Sequence, residues 1–217
     1  MNANIEKHYS YPKPLCDKEA FLEAVKKHKL NVIKDENLYR HLIFYNPECS
    51  WNQWFEIVTY PKTLVYSGDM GTYVFSRVED MFKFFRRDDL KISPSYWAQK
   101  CTSYDRDGIE EFSSEYFTAR IEEWMDECEV SKETREEVKI EVLWKADEGD
   151  QIAMRAAMDF KAEDGFYFAD FWEQDCNVYT YRFLWCLYAI VWGIQQYDNS
   201  KNLEWCNPKR LPNLAKK

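Results

Sequence analysis

The sequence predicts an α+β fold: a small N-terminal antiparallel sheet of three to five strands packed against a larger C-terminal helical half. Three observations predict it. Residues 30–76 hold runs rich in β-branched and aromatic side chains, with turn residues between the runs. From Arg77 to Tyr197 the apolar residues recur at helical spacing instead. No internal repeat and no Gly/Pro/Ser-rich linker separates the two regions, so residues 1–217 read as one domain, sheet-rich over 30–76, helical over 77–197 and irregular over 198–217.

Taken in order, Asp17–Lys29 puts Ala20, Phe21, Ala24, Val25 and His28 on one stripe, with Asp17 as N-cap and Glu19 in the first turn. Strands follow at Leu30–Lys34, Tyr39–Tyr45, Trp54–Tyr60, Leu64–Ser67 and Thr72–Phe75. The tight turn Ser67–Gly71 joins the last two, its two glycines allowing positive φ at both ends. Val78, Met81, Phe82 and Phe85 form a helical stripe opened by Glu79 and Asp80. Ser93-Pro94 starts a helix that runs to about Cys101. Ser113–Cys128 and Ser131–Ala146 each open on a capping Ser and an acidic turn, and Asp150–Phe160 closes at Asp164-Gly165. Tyr179–Tyr197 is apolar on nearly all sides, which marks a central helix. Its run Phe183–Trp192 is ten residues long, about half of what a membrane span needs.

Composition narrows the chemistry. Six glycines leave little material for a phosphate cradle, and neither a Gly-x-x-x-x-Gly-Lys-Ser/Thr nor a Gly-x-Gly-x-x-Gly motif follows a strand. No Gly-x-Ser-x-Gly elbow is present. The seven cysteines are at least ten positions apart, which suits buried free thiols rather than a disulfide or zinc framework. All three histidines, His8, His28 and His41, lie in the first 41 residues without metal-ligand spacing; they read as surface or hydrogen-bonded histidines. No cofactor and no metal are expected. Met1–Pro14 contains Glu6, Lys7 and His8 and lacks an apolar stretch, unlike a secretory signal.

Charge is the strongest feature. The net charge is −9, yet Ser103–Asp175 alone holds 23 acidic and 8 basic residues, a net of −15, and the remainder carries +6. Glu122/Asp126, Glu123/Glu127, Glu129/Glu133 and Glu137/Glu141 are like charges at i, i+4, each costing roughly 0.2–0.5 kcal/mol in a helix. Lys132/Glu136 and Glu141/Lys145 offset only part of this. A solvated acidic surface is the commonest meaning of such a run. Its specific uses are to imitate the phosphate array of DNA or to dock in a basic protein groove. The contact residues would be Glu122, Glu123, Asp126, Glu127, Glu133, Glu136 and Glu137. Direct nucleic-acid binding is disfavoured by the charge, although Trp51, Trp54, Tyr60, Tyr66, Tyr73 and Phe75 on or beside strands are of a type that stacks bases.

The stretches Leu38–Cys101 and Phe168–Asp198 together resemble a family of proteins carried by tailed phages and prophages of enteric and related bacteria. SGDMGTYVFSR (67–77) and WCLYAIVWGIQQYD (185–198) are the specific segments, and the two stretches cover over two-fifths of the chain. The resemblance implies a context, an accessory protein in the cytoplasm of the infected bacterium, and brings no catalytic or ligand residues to individual positions. Context and charge together lead to a non-enzymatic protein that binds and inhibits a host defence complex, of anti-CRISPR or anti-restriction type, through an acidic, DNA-mimicking helical face. The partner would be a host protein or protein–nucleic-acid complex with a basic groove, with no membrane involved. The alternative is a small-ligand or nucleotide binder, or an enzyme, with Tyr39, His41, Asp69 and Arg77 lining a pocket beside the aromatic strands and the Gly68–Gly71 turn, where arginine would grip phosphate.

Overall fold

The alternating segments between Lys29 and Ser76 form five strands, β1 (Lys29–Glu36), β2 (Tyr39–Tyr45), β3 (Phe55–Tyr60), β4 (Thr63–Gly68) and β5 (Gly71–Ser76), each antiparallel to the one before. These belong to a computed structural model that describes residues 13–206, with side chains to residue 201. A sixth strand, β6 (Cys101–Tyr104), pairs with β5, so the meander exceeds the expected three to five strands. Three of its four residues are exposed, and its sequence, Cys-Thr-Ser-Tyr, has no apolar alternation to announce it. Only long-range pairing with β5, Tyr73↔Tyr104, Val74↔Ser103 and Phe75↔Cys101, makes it a strand. The chain divides into two compact units: one is Leu15–Ile109 with Tyr179 onward, the other is built on Glu110–Val178.

In the sheet unit, one face of each strand from β2 to β5 is apolar. Leu42 and Phe44, Phe55 and Ile57, Leu64 and Tyr66, Tyr73 and Phe75 are all buried, at spacing two. Over this face lies α7 (Tyr181–Cys206), whose Phe183, Trp185, Leu187, Ile190, Val191 and Ile194 are fully or almost fully buried. Burial on all sides explains why this helix lacks an amphipathic stripe. Aromatic rings knit the layers: Phe55 meets Trp185 edge-on at 5.6 Å, and Tyr73 lies 5.6 Å from Phe183. The short helix α1 (Lys18–Val25), capped by the Asp17 carboxylate on Ala20 N at 2.8 Å, adds Phe21 against Trp185 and Tyr188. Because α7 runs to Cys206, the expected irregular tail is helical over residues 198–206, and residues 207–217 lie outside the described chain. Bidentate Arg86–Asp198 and the Tyr197 hydroxyl donated to Asp35 hold this last stretch against α2 (Met81–Phe85) and β1. A nearly buried ion pair, Arg40–Asp80 at 2.8 Å, closes the same end, with Asp80 also capping α2 on Phe82 N. The helix α3 (Pro94–Ala98) completes the unit through buried Trp97.

The unit built on Glu110–Val178 holds α4 (Ser114–Glu127), α5 (Lys132–Glu141), a 3₁₀ turn over Leu143–Glu148 and α6 (Asp150–Asp159). A strand pair, β7 (Glu110–Phe112) with β8 (Asn177–Tyr179), accompanies them. Phe117, Ile121, Met125, Val138, Val142, Phe168 and Phe171 make its core, filled in by Ala146, Ala153 and Ala157. The helix expected over Ser131–Ala146 stops at Glu141 and tightens to 3₁₀. Glu129 takes a φ of +50° between α4 and α5, so Glu129 and Glu133 are not a like-charge pair within one helix. Among the described residues, no helix is long and apolar enough to cross a membrane.

Two glycines sit where an added side chain would force neighbours to shift. At Gly193 on α7 a Cβ would lie 2.8 Å from Ile57 Cδ1 and 3.1 Å from the Phe44 ring. At Gly68 it would meet the Trp54 carbonyl oxygen at 2.3 Å. Of the turn's two glycines, only Gly71 has positive φ, +98°; Gly68 is needed for close approach, not for its dihedral. Replacing Gly193 with Leu is expected to overpack the helix–sheet layer and cost about 1–3 kcal/mol, read as a lowered urea midpoint; an unchanged midpoint would mean that α7 does not rest on the sheet at this point.

His28 supplies a pH dependence. It is half-buried, its Nε2 lies 2.9 Å from the Gln53 carbonyl oxygen and its Nδ1 has no partner. Burial lowers its pKa, only partly opposed by the Gln53 contact. The unfolded chain therefore binds this proton more readily, and the stability tied to neutral His28 is lost as pH falls through and below about 6.5. The expected outcome is a steeper loss of stability between about pH 7.5 and pH 5.5 for the wild type than for His28→Gln, measured by urea unfolding; equal slopes would refute it.

Candidate functional site

Local sequence explains why the acidic residues stand on helices. Ser113 Oγ accepts from Tyr116 N at 3.1 Å and Ser131 Oγ from Thr134 N at 3.1 Å, fixing the starts of α4 and α5. Glu115 and Glu133 follow in the first turns, where the helix dipole favours anions. Residues 110–178 carry 21 acidic against 7 basic residues, a net of −14, so nearly all of the acidic belt falls within one compact unit.

The seven anticipated contact acids divide by environment. Glu122, Glu127, Glu133 and Glu136 are exposed. Glu136 pairs with Lys139 at 2.6 Å rather than with the anticipated Lys132. The other three are half-buried and hold the unit together. Asp126 pairs with Arg135 across the α4–α5 junction, and the same guanidinium donates to the Met125 carbonyl oxygen at 3.1 Å. Glu123 pairs with Arg120, which also donates to Gln174 Oε1 at 2.7 Å. Glu137 accepts from Glu163 N at 3.1 Å. Nearby, the Thr134 hydroxyl donated to Asp164, with Phe166 N, keeps that carboxyl below its ordinary pKa and ties the loop after α6 to α5.

On α5, Val138 and Thr134 point into the core and Glu133, Glu136 and Glu137 share the opposite side. Ile140, 69% exposed, lies on that side too, and Trp144, 67% exposed, follows on the 3₁₀ turn after α5. Sequence reading passed over these two residues, because the core stripe of Val138, Val142 and Leu143 accounted for the apolar content of the segment. A helical wheel marks Ile140, which lies off that stripe, whereas Trp144 comes after the end of α5 and is marked only by its exposure.

The residues of the alternative pocket are not brought together. Tyr39 starts β2 and His41 Nε2 lies 2.6 Å from Glu56 Oε2. Asp69 sits at the other end of the strands, its Oδ2 accepting from Gln53 N at 3.0 Å beside the Trp54 end of β3. Six residues of β3 at about 3.3 Å each separate those ends. A cavity of about 650 Å³ does open near Tyr39 and Arg77, but their neighbours Leu38 and Val78 line it, with Asp80, Lys83, Arg87 and Tyr96. Nor does the sheet's inner face offer a base-stacking platform, because Tyr66, Tyr73 and Phe75 are buried with α7.

Among the described residues, no group of three or more His, Cys, Asp or Glu is placed to hold a metal ion. His8 and the Cys206 side chain lie outside them. The six described cysteines are free, and burial pushes the Cys16 and Cys176 thiols up to about 11, which keeps them protonated at neutral pH and poor nucleophiles. No family model matches the chain, and no curated protein or solved structure matches it.

Asp126 is thus expected to be a structural acid. Asp126→Ala leaves the half-buried Arg135 without its carboxylate and should lower stability by about 1–3 kcal/mol, whereas Glu122→Ala should stay within about 0.5 kcal/mol. Urea unfolding of the two variants checks this, and equal effects would show that Asp126 belongs to the free surface.

Proposed function

We propose that this chain is a non-enzymatic binding protein, a phage accessory factor that inhibits a host defence complex by placing the acidic helices of its Glu110–Val178 unit in a basic groove. One observation carries the reading: the negative charge is gathered into a compact helical unit of net −14 while the remainder of the chain is positive. Like charges so gathered repel one another and weaken the compact state. They also raise the association rate with a positive partner and exclude negative ones. Glu122, Glu127, Glu133 and Glu136 are the contact acids, being exposed and unneeded by the core. Glu123, Asp126 and Glu137 shape the face from beneath.

The function is defence inhibition rather than solubility alone because the phage resemblance supplies a setting in which DNA-handling enzymes with basic grooves are the opponents. Reversing Glu122, Glu127, Glu133 and Glu136 to Lys is expected to leave the thermal midpoint within a few degrees and to abolish protection of phage against restriction or CRISPR interference in infected cells. A quadruple variant that still protects would overturn the acidic-face reading.

A further inference from the structure

The acidic stripe of α5 does not end in charge. Ile140 shares the outer side of α5 with Glu133, Glu136 and Glu137, and Trp144 follows on the 3₁₀ turn after the helix, each about two-thirds exposed. Exposed Asp147 and Glu148 come immediately after. Residues 133–148 carry 6 acidic and 3 basic side chains, a net of −3, so acids bracket the apolar pair along the chain. Beside this segment, a cavity of about 440 Å³ is lined by Glu141, Lys145, Ile152, Arg155 and Asp159.

A tryptophan held in water on a 3₁₀ turn gives its own unit little: the core beneath is closed by Val138, Val142 and Ala146. Tryptophan is also the side chain most enriched among residues that dominate interface energies, where a ring of polar contacts excludes water around it. We propose that Ile140 and Trp144 are the apolar anchor of the acidic face and that they seat in a basic, amphipathic segment of a protein partner. The inference rests on the acidic-face reading and adds to it the class of partner. A purely electrostatic mimic of DNA would need no such anchor, whereas a segment with apolar side chains set among lysine or arginine matches both the stripe and its flanks. Exposed charge contacts are screened when the Debye length drops below about 10 Å at 0.1 M salt, and apolar burial is not. The anchor therefore makes the contact salt-resistant.

The test uses the full chain and two labelled probes of equal charge, an amphipathic leucine–lysine peptide and an oligolysine, titrated by fluorescence anisotropy at low and at roughly half-molar salt. The wild type is expected to bind both at low salt and to keep only the leucine–lysine peptide at high salt. Ile140→Ala/Trp144→Ala should weaken the leucine–lysine peptide by about tenfold or more, with oligolysine binding and the thermal midpoint unchanged. If the double variant binds the leucine–lysine peptide as the wild type does, or if the wild type prefers neither probe at high salt, the anchor is refuted and the acidic face stands. If the wild type binds neither probe at low salt, the acidic-face reading falls and the anchor with it.

Discussion

The sheet unit depends on the burial of α7 across the inner face of the antiparallel sheet. Eight side chains from β2 to β5 and the apolar surface of the helix leave water together, at roughly 1.5–3 kcal/mol for each large side chain fully buried. Gly193 sets the depth of that contact, because the absence of a side chain lets the helix approach Ile57 and Phe44. The penalty of about 1 kcal/mol for glycine within a helix is offset by packing that a larger residue would prevent. Around this layer the remaining parts are accessory. Phe21 of α1 and Phe82 of α2 cover the flanks of α7, and the Arg40–Asp80 pair and the Asp35–Tyr197 bond close one end.

The helical unit is built on different terms. Its core is smaller and rich in alanine, and it carries most of the chain's excess negative charge. Polar clasps compensate: Asp126 with Arg135, Glu123 with Arg120, Thr134 with Asp164, and Glu137 on a backbone amide. Each takes a carboxylate out of mutual repulsion and gives it a structural partner. The acids left outside this set are those a binding function would use, and the exposed Ile140–Trp144 pair lies among them. Charge that costs stability and apolar surface left largely in water meet on α5 and the turn after it, and interaction with another molecule would make use of both.

Much of the fold was legible because it is written in short-range chemistry. Runs of β-branched and aromatic residues between turn residues marked β1 to β5, with β2 at Tyr39–Tyr45 as expected, and Asp17, Ser113 and Ser131 announced their helices through side-chain caps. The candidate site was legible only in outline. Composition located the acidic belt, but it treated Glu122 and Asp126 alike, although one is exposed and the other clasps two helices. Nor did it gather Tyr39 and Asp69 correctly, since strand register sends them to opposite ends of the meander.

By itself, then, the sequence determined the α+β class, the order of β1 to β5 and the main helices, the burial of Phe183–Trp192 and the concentration of negative charge between Ser103 and Asp175. Tertiary structure decided that Cys101–Tyr104 becomes a strand, that α7 continues to Cys206, that the acidic belt forms its own unit, and which carboxylates remain in water. The division follows the range of the forces. Periodicity and capping act within a few residues and are printed in the chain. Strand pairing, ion pairing between helices and the exposure of Trp144 depend on partners far along the chain, which only the folded structure brings within reach.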